Sequence, residues 1–110
     1  MSFFEGSSFG SFNGSTDVVA VAAPQEGVCR VIRNVILYNA DDVSVTFRVS
    51  VWDGAVETPL YRAPAMGVAM TYRVEGPLVL DSITKTLQVR LEAPANSTEP
   101  TFCVNYADCG

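Results

Sequence analysis

Val43-Ser44-Val45-Thr46-Phe47-Arg48-Val49-Ser50-Val51 alternates apolar and polar residues without a break. Successive side chains of an extended chain point to opposite sides, so this period of two marks a β-strand with one buried face. Leu87, Val89, Leu91 and Ala93 repeat the alternation against Gln88, Arg90 and Glu92, and Phe102, Val104 and Tyr106 repeat it near the C-terminus. Val28 to Tyr38 is apolar on both parities, which predicts a central strand with a bulge near Arg33-Asn34. Asn39-Ala40-Asp41-Asp42 then leads into the opening strand as a short hairpin loop. Weaker strand signals cover Asp17 to Ala22, Thr58 to Ala63, Met70 to Glu75 and Leu78 to Leu80. Pro24, Asp53-Gly54, Pro59, Pro64, Gly67, Gly76-Pro77 and Pro94 punctuate them as turns. About eight short strands joined by short loops predict an all-β, antiparallel two-sheet β-sandwich of jelly-roll or immunoglobulin-like type. Its expected core is Val45, Phe47, Val49, Leu87, Val89, Leu91, Phe102 and Val104.

A chain of 110 residues with 48% hydrophobic and 17% charged residues has room for one folded domain. Seven basic against twelve acidic residues give a net charge of −5, which argues against a phosphate-binding surface and hence against nucleic acid. Histidine is absent, removing the commonest general base, the usual zinc ligand and every Ser-His or Cys-His nucleophile pair. No run approaches the roughly 20 apolar residues that cross a bilayer. The start, Met1-Ser2-Phe3-Phe4-Glu5-Gly6, lacks the basic and apolar regions of a secretory signal, so a plain cytosolic product is expected, with no membrane partner. Cys29, Cys103 and Cys109 form an odd count best read as thiols; a Cys103–Cys109 bond requires the C-terminal segment to turn back. Three scattered thiols without histidine make a poor metal site, and no cofactor is expected.

Residues 1–16 differ from the rest. Gly6, Gly10, Gly14 and five serines alternate with Phe3, Phe4, Phe9 and Phe12, four of the chain's six phenylalanines. Gly/Ser segments are flexible by default, yet exposed phenylalanines invite association. Residues 1–16 are therefore expected as a flexible arm and 17–110 as the sandwich domain. Phe3, Phe4, Phe9 and Phe12 are the candidate subunit-interface residues if the arm presses onto a neighbour; alternatively it wraps its own domain. The glycine spacing favours the first reading.

Chemistry has few candidates. Asp41, Asp42 and Asp53 lie in loops, where carboxylates can hold calcium, but aspartate favours turns because it bonds its own backbone. Glu57, Glu75 and Glu92 read as solvated strand faces. Trp52, Tyr61, Tyr72 and Tyr106 suit an aromatic platform for sugar rings, although Tyr72 and Tyr106 fall on the inferred buried parity. The six arginines and Lys85 are spread along the chain rather than clustered. No residue set meets the requirements of a catalytic site, so no enzymatic activity is expected.

From Arg30 to Tyr106 the layout resembles the small β-sandwich structural proteins of tailed bacteriophages. The likeness rests on Arg33-Asn34-Val35-Ile36-Leu37-Tyr38-Asn39 followed by Val43-Ser44-Val45-Thr46-Phe47-Arg48-Val49, then Tyr61-Arg62-Ala63, Gly76-Pro77-Leu78-Val79-Leu80 and Thr86-Leu87-Gln88-Val89-Arg90. Asp81 to Val89 is longer than the corresponding segment usually is. The resemblance implies a non-enzymatic virion component made in the host cytoplasm, a capsid decoration or cement protein. Its implied partners are the major capsid protein or other virion subunits, with a homo-oligomer, a trimer favoured. A neck or tail accessory protein, or a carbohydrate- or receptor-binding sandwich module, is the alternative.

Overall fold

The computed structural model describes residues 3–109, and of Phe3, residues 63–65 and Pro77 the backbone only. Eight strands run in chain order: β1 (Phe3–Ser11), β2 (Val18–Val21), β3 (Cys29–Tyr38), β4 (Val45–Trp52), β5 (Glu57–Met66), β6 (Thr71–Leu80), β7 (Thr86–Leu91) and β8 (Thr101–Cys109). They form two four-stranded antiparallel sheets, ordered β1-β8-β3-β6 and β2-β7-β4-β5. This interleaving of early and late strands is the eight-stranded jelly roll, not the immunoglobulin order. The expected core is buried: Phe47, Leu87 and Val89 of the second sheet are fully enclosed, and Val104, Ile32, Leu37 and Leu80 face them from the first.

Alternation reports which face of a strand is buried, not which strand lies beside it. Residues 39–42 accordingly do not close a hairpin: β3 and β4 belong to different sheets, and the loop carries the chain across the sandwich. A short connection suffices because a polar group holds it. Asn39, fully buried, donates from Nδ2 to the carbonyls of Val43 (2.9 Å), Met66 (3.1 Å) and Gly67 (3.1 Å). Of consecutive strands, only β4 and β5 pair.

The bulge expected at Arg33-Asn34 is present: the β3 register with both β6 and β8 shifts between Ile32 and Asn34. It explains why Gly76-Pro77, read as a turn, instead lies inside a continuous β6. A Cβ at Gly76 would stand 2.3 Å from the Ile32 carbonyl oxygen and 2.9 Å from that of Arg33, so only glycine lets the strand pass the bulge. Pro77 is tolerated because β6 is an edge strand with no second neighbour to bond.

Residues 3–11, expected as a flexible arm, are strand β1. It pairs with β8 in unbroken register from Phe3 opposite Cys109 to Ser11 opposite Thr101. The glycines there serve close approach rather than flexibility. A Cβ on Gly6 would lie 2.7 Å from Tyr106 Cζ, and one on Gly10 3.1 Å from Phe102 Cζ, so aromatic rings on β8 cover the two glycines opposite them. The boundary drawn between arm and domain at residue 16 therefore does not separate two physical units.

Candidate functional site

A two-sheet sandwich leaves four strand edges, each a row of backbone groups able to template another strand. Three are blunted here. β2 has four residues and a register shift between Val19 and Val21. β5 contains Pro59 and Pro64 and shifts register twice against β4. β6 contains Pro77 and shifts at the bulge. β1 has none of these devices: nine residues, no proline, no lysine, and no irregularity. Its one charge, Glu5, is neutralised by Arg33 at 2.7 Å.

The four nominated phenylalanines separate accordingly. Phe12, just past β1, is 2% exposed, packing against Phe47 at 5.0 Å and edge-on to Phe102 at 5.9 Å between ring centroids. It is a core residue and not an interface contact, because the Phe12 N–H bonds the Pro100 carbonyl (2.8 Å) and turns the chain into the sandwich. Phe4 and Phe9 remain 68% and 78% exposed on the β1 edge. The side chain of Phe3 lies outside the described residues.

β1 is held rigidly from behind. Ser7 Oγ donates to Asn105 Oδ1 and Asn105 Nδ2 to Asn34 Oδ1, both at 2.8 Å, a polar ladder crossing β1, β8 and β3. Ser8 Oγ donates to the Ala20 carbonyl at 2.5 Å, joining the two sheets at this edge. Arg30 forks onto Asp108 at 2.7 and 2.8 Å and lies 4.5 Å from the Tyr106 ring centre. The hydrogen-bonded pair raises the Arg30 pKa and lowers that of Asp108.

The loop carboxylates have structural work. Asp41, 2% exposed, accepts from the backbone N–H groups of Asn96 (2.7 Å), Ser97 (2.9 Å), Thr98 (3.2 Å) and Asp42 (2.9 Å), tying the β3–β4 loop to the β7–β8 loop. Those donors, Asn96 first, push its pKa well below the usual carboxylate range. Asp53 Oδ1 accepts from Ala55 and Val56 at 2.9 and 2.8 Å, which lowers its pKa in the same way. Among the described residues no three His, Cys, Asp or Glu side chains converge as a metal site.

The aromatic candidates do not form one platform. Tyr61 and Tyr72 stack at 5.3 Å, their hydroxyls bonded, and bridge β5 to β6; Trp52 is half-buried on β4, and the Tyr106 ring lies over Gly6. Tyr72 has the buried parity that its alternation implied, yet it is exposed because β6 is an edge. Beside Tyr61 opens a largely apolar pocket of about 340 Å³ lined also by Ile32, Val35, Val49, Val74 and Leu78, with Glu75 at its wall.

Pairing also gathers arginines that are scattered in sequence: Arg62, Arg48 and Arg90 form one row across β5, β4 and β7. Glu57, Glu92 and Asp17 balance that row, so Glu57 and Glu92 are ion-pair partners and not merely solvated. Every Lys and Arg lies within 4.0 Å of a carboxylate oxygen, including Lys85 with Asp81 and Arg73 with Glu75. Among the described residues, the acids without such a cation are Glu26, Asp41, Asp42, Asp53 and Glu99, all in loops. Sheet faces are thus neutral and the negative charge sits at the sandwich ends.

No protein-family model and no curated protein matches the chain. Among solved structures, the Drosophila NLP core, described in connection with pentamer formation and histone binding, is 14% identical over 97% of this chain and 98% of its own, with a TM-score of 0.46. A chain of the cyanophage Pam1 capsid asymmetric unit is also 14% identical, covers 97% of this chain and 82% of its own, and has a TM-score of 0.46. Similarity this low transfers no function.

Proposed function

We propose that this chain is a non-enzymatic structural subunit of a bacteriophage particle, a capsid decoration or cement protein that docks on neighbouring subunits through the β1 edge. One observation carries the reading: among the described residues, β1 alone of the four edges is long, regular and unprotected, and it presents Phe4 and Phe9 to solvent. Strand addition at such an edge satisfies a row of main-chain groups. Covering each phenylalanine contributes about 2 kcal/mol. The resemblance of Arg30 to Tyr106 to phage sandwich proteins supports the virion setting, and the neutral sheet faces suit protein partners rather than nucleic acid. The partner is the major capsid protein or another virion subunit, and the free form is a homo-oligomer, a trimer favoured.

Light scattering coupled to size exclusion tests this on the full chain and on a Phe4→Lys/Phe9→Lys double variant. Both side chains are exposed, so the variant should stay folded by circular dichroism. A native oligomer that becomes a monomer in the variant is the expected result. An oligomer indifferent to both substitutions removes β1 from the assembly surface.

A further inference from the structure

Cys29 and Cys109 lie 80 positions apart in sequence, yet they are direct cross-strand partners in the β3–β8 ladder. All three cysteines are thiols in this structure. We propose that Cys29 and Cys109 form an intrachain disulfide site, closed by thiol–disulfide exchange with a low-molecular-weight disulfide such as oxidised glutathione. The proposal is independent of the assembly reading.

Directly opposed residues of an antiparallel pair have Cα atoms about 4.5 or 5.5 Å apart, and both values fall within the range of about 4.4–6.8 Å that a disulfide spans. Directly opposed side chains also emerge on the same face of the sheet. The register is secured one residue further in: Arg30 and Asp108, opposite each other, are joined by the two-bonded guanidinium–carboxylate pair. The β3 bulge falls beyond Ile32 and leaves this end of the ladder regular. The site requires only that the two sulfurs reach bonding distance, whatever else either thiol touches. Cys29 is exposed and meets the reagent first.

The Cys29 thiolate attacks one sulfur of oxidised glutathione, forming a mixed disulfide and releasing one glutathione thiolate. The Cys109 thiolate then attacks the Cys29 sulfur and expels the second glutathione. Two protein thiols are oxidised and one small disulfide is reduced to two thiols, their protons passing to the leaving thiolates and solvent. Cβ atoms of opposed strand residues stand about 4.5–5.5 Å apart, against about 3.5–4.5 Å in a disulfide, so closure draws the strands together and leaves a readily reduced bond. The same geometry excludes the Cys103–Cys109 bond left open by the sequence: those residues lie six positions apart in one extended strand, about 20 Å.

The test treats the full chain with oxidised glutathione and counts thiols under denaturing conditions, then maps linked peptides by mass spectrometry. Titratable thiols should fall from the three of the sequence to one. The intact mass should fall by that of two hydrogen atoms, and a peptide containing Cys29 should be joined to one containing Cys109. A mild dithiol should restore all three. A Cys103→Ser variant should close the same bond. A bond involving Cys103, a bond between chains, a glutathione adduct that persists on Cys29, or an undiminished thiol count would each overturn the assignment.

Discussion

β1 and β6 are the two outer strands of one sheet and they end it in opposite ways. β6 is broken in register, carries Pro77, and has Gly76 wedged against the backbone of the β3 bulge. β1 is smooth, and its Gly6 and Gly10 lie under the rings of Tyr106 and Phe102. Glycine thus seals one edge by accommodating an irregularity, and at the other it keeps a strand flat. An edge that is closed to a further strand and one that is open to it can be written with the same residue.

The comparison is tested hardest where β1 enters the core. Phe12→Ala should cost about 4 kcal/mol of unfolding free energy, since it leaves a cavity between Phe47 and Phe102. Phe9→Ala, three residues earlier, should change stability by less than about 0.5 kcal/mol. Urea denaturation of the two variants measures this directly. Equal losses would mean that the whole segment is core, and equally small ones that none of it is.

Glycine replacement sharpens the contrast between the edges. Gly76→Ala should cost about 3 kcal/mol, because the new methyl meets backbone carbonyls that move only with the bulge. Gly6→Ala should cost about 1 kcal/mol, because the obstacle is the far end of a side chain, although Arg30 stacked on Tyr106 resists its swing. A Gly6 loss as large as that of Gly76 would show that the Tyr106 ring is fixed in place.

Much of the fold was legible because it depends on period two. The alternation located β4 and, from Val45 to Val49, its buried face, although Val43 lies before the strand and is exposed and Ser50 is buried in place of Val51; the mixed parity from Val28 to Tyr38 located the β3 bulge. What escaped is non-local. Nothing in Phe3 to Ser11 read alone indicates that two rings nearly a hundred residues later lie over its glycines, so a strand looked like a linker. Gly76-Pro77 carries a turn signature, and only the carbonyls of Ile32 and Arg33 reveal it as a strand crossing a bulge. Asp41 looked like an ordinary turn residue, whereas its donors come from a loop more than fifty positions away. Phe4 and Phe9 are exposed, whereas Phe12 shares their composition but lies past the turn into the core.

Acid should separate the two edges by the smallest margin. The Arg30–Asp108 pair stands opposite Phe4, at the β8 end that supports β1, and its side chains are only 16% and 21% exposed. The Asp108 pKa is lowered by hydrogen bonding to Arg30, so its stabilisation is complete above the unfolded-state pKa of about 4 and is lost as pH falls through the lower folded value. The loss should be below about 1 kcal/mol, because solvent screens part of the pair. At the other edge Arg73 and Glu75 form an ion pair more than half exposed, and breaking it frees little. Amide exchange near Phe4 and Glu5, corrected for intrinsic rates, should therefore quicken between about pH 6 and about pH 3 more than exchange in β6. A uniform change along both strands would mean that the Arg30–Asp108 pair does not anchor the β1 edge, which would then rest on the Ser7, Asn105 and Asn34 ladder, the Ser8–Ala20 bond and the Glu5–Arg33 pair.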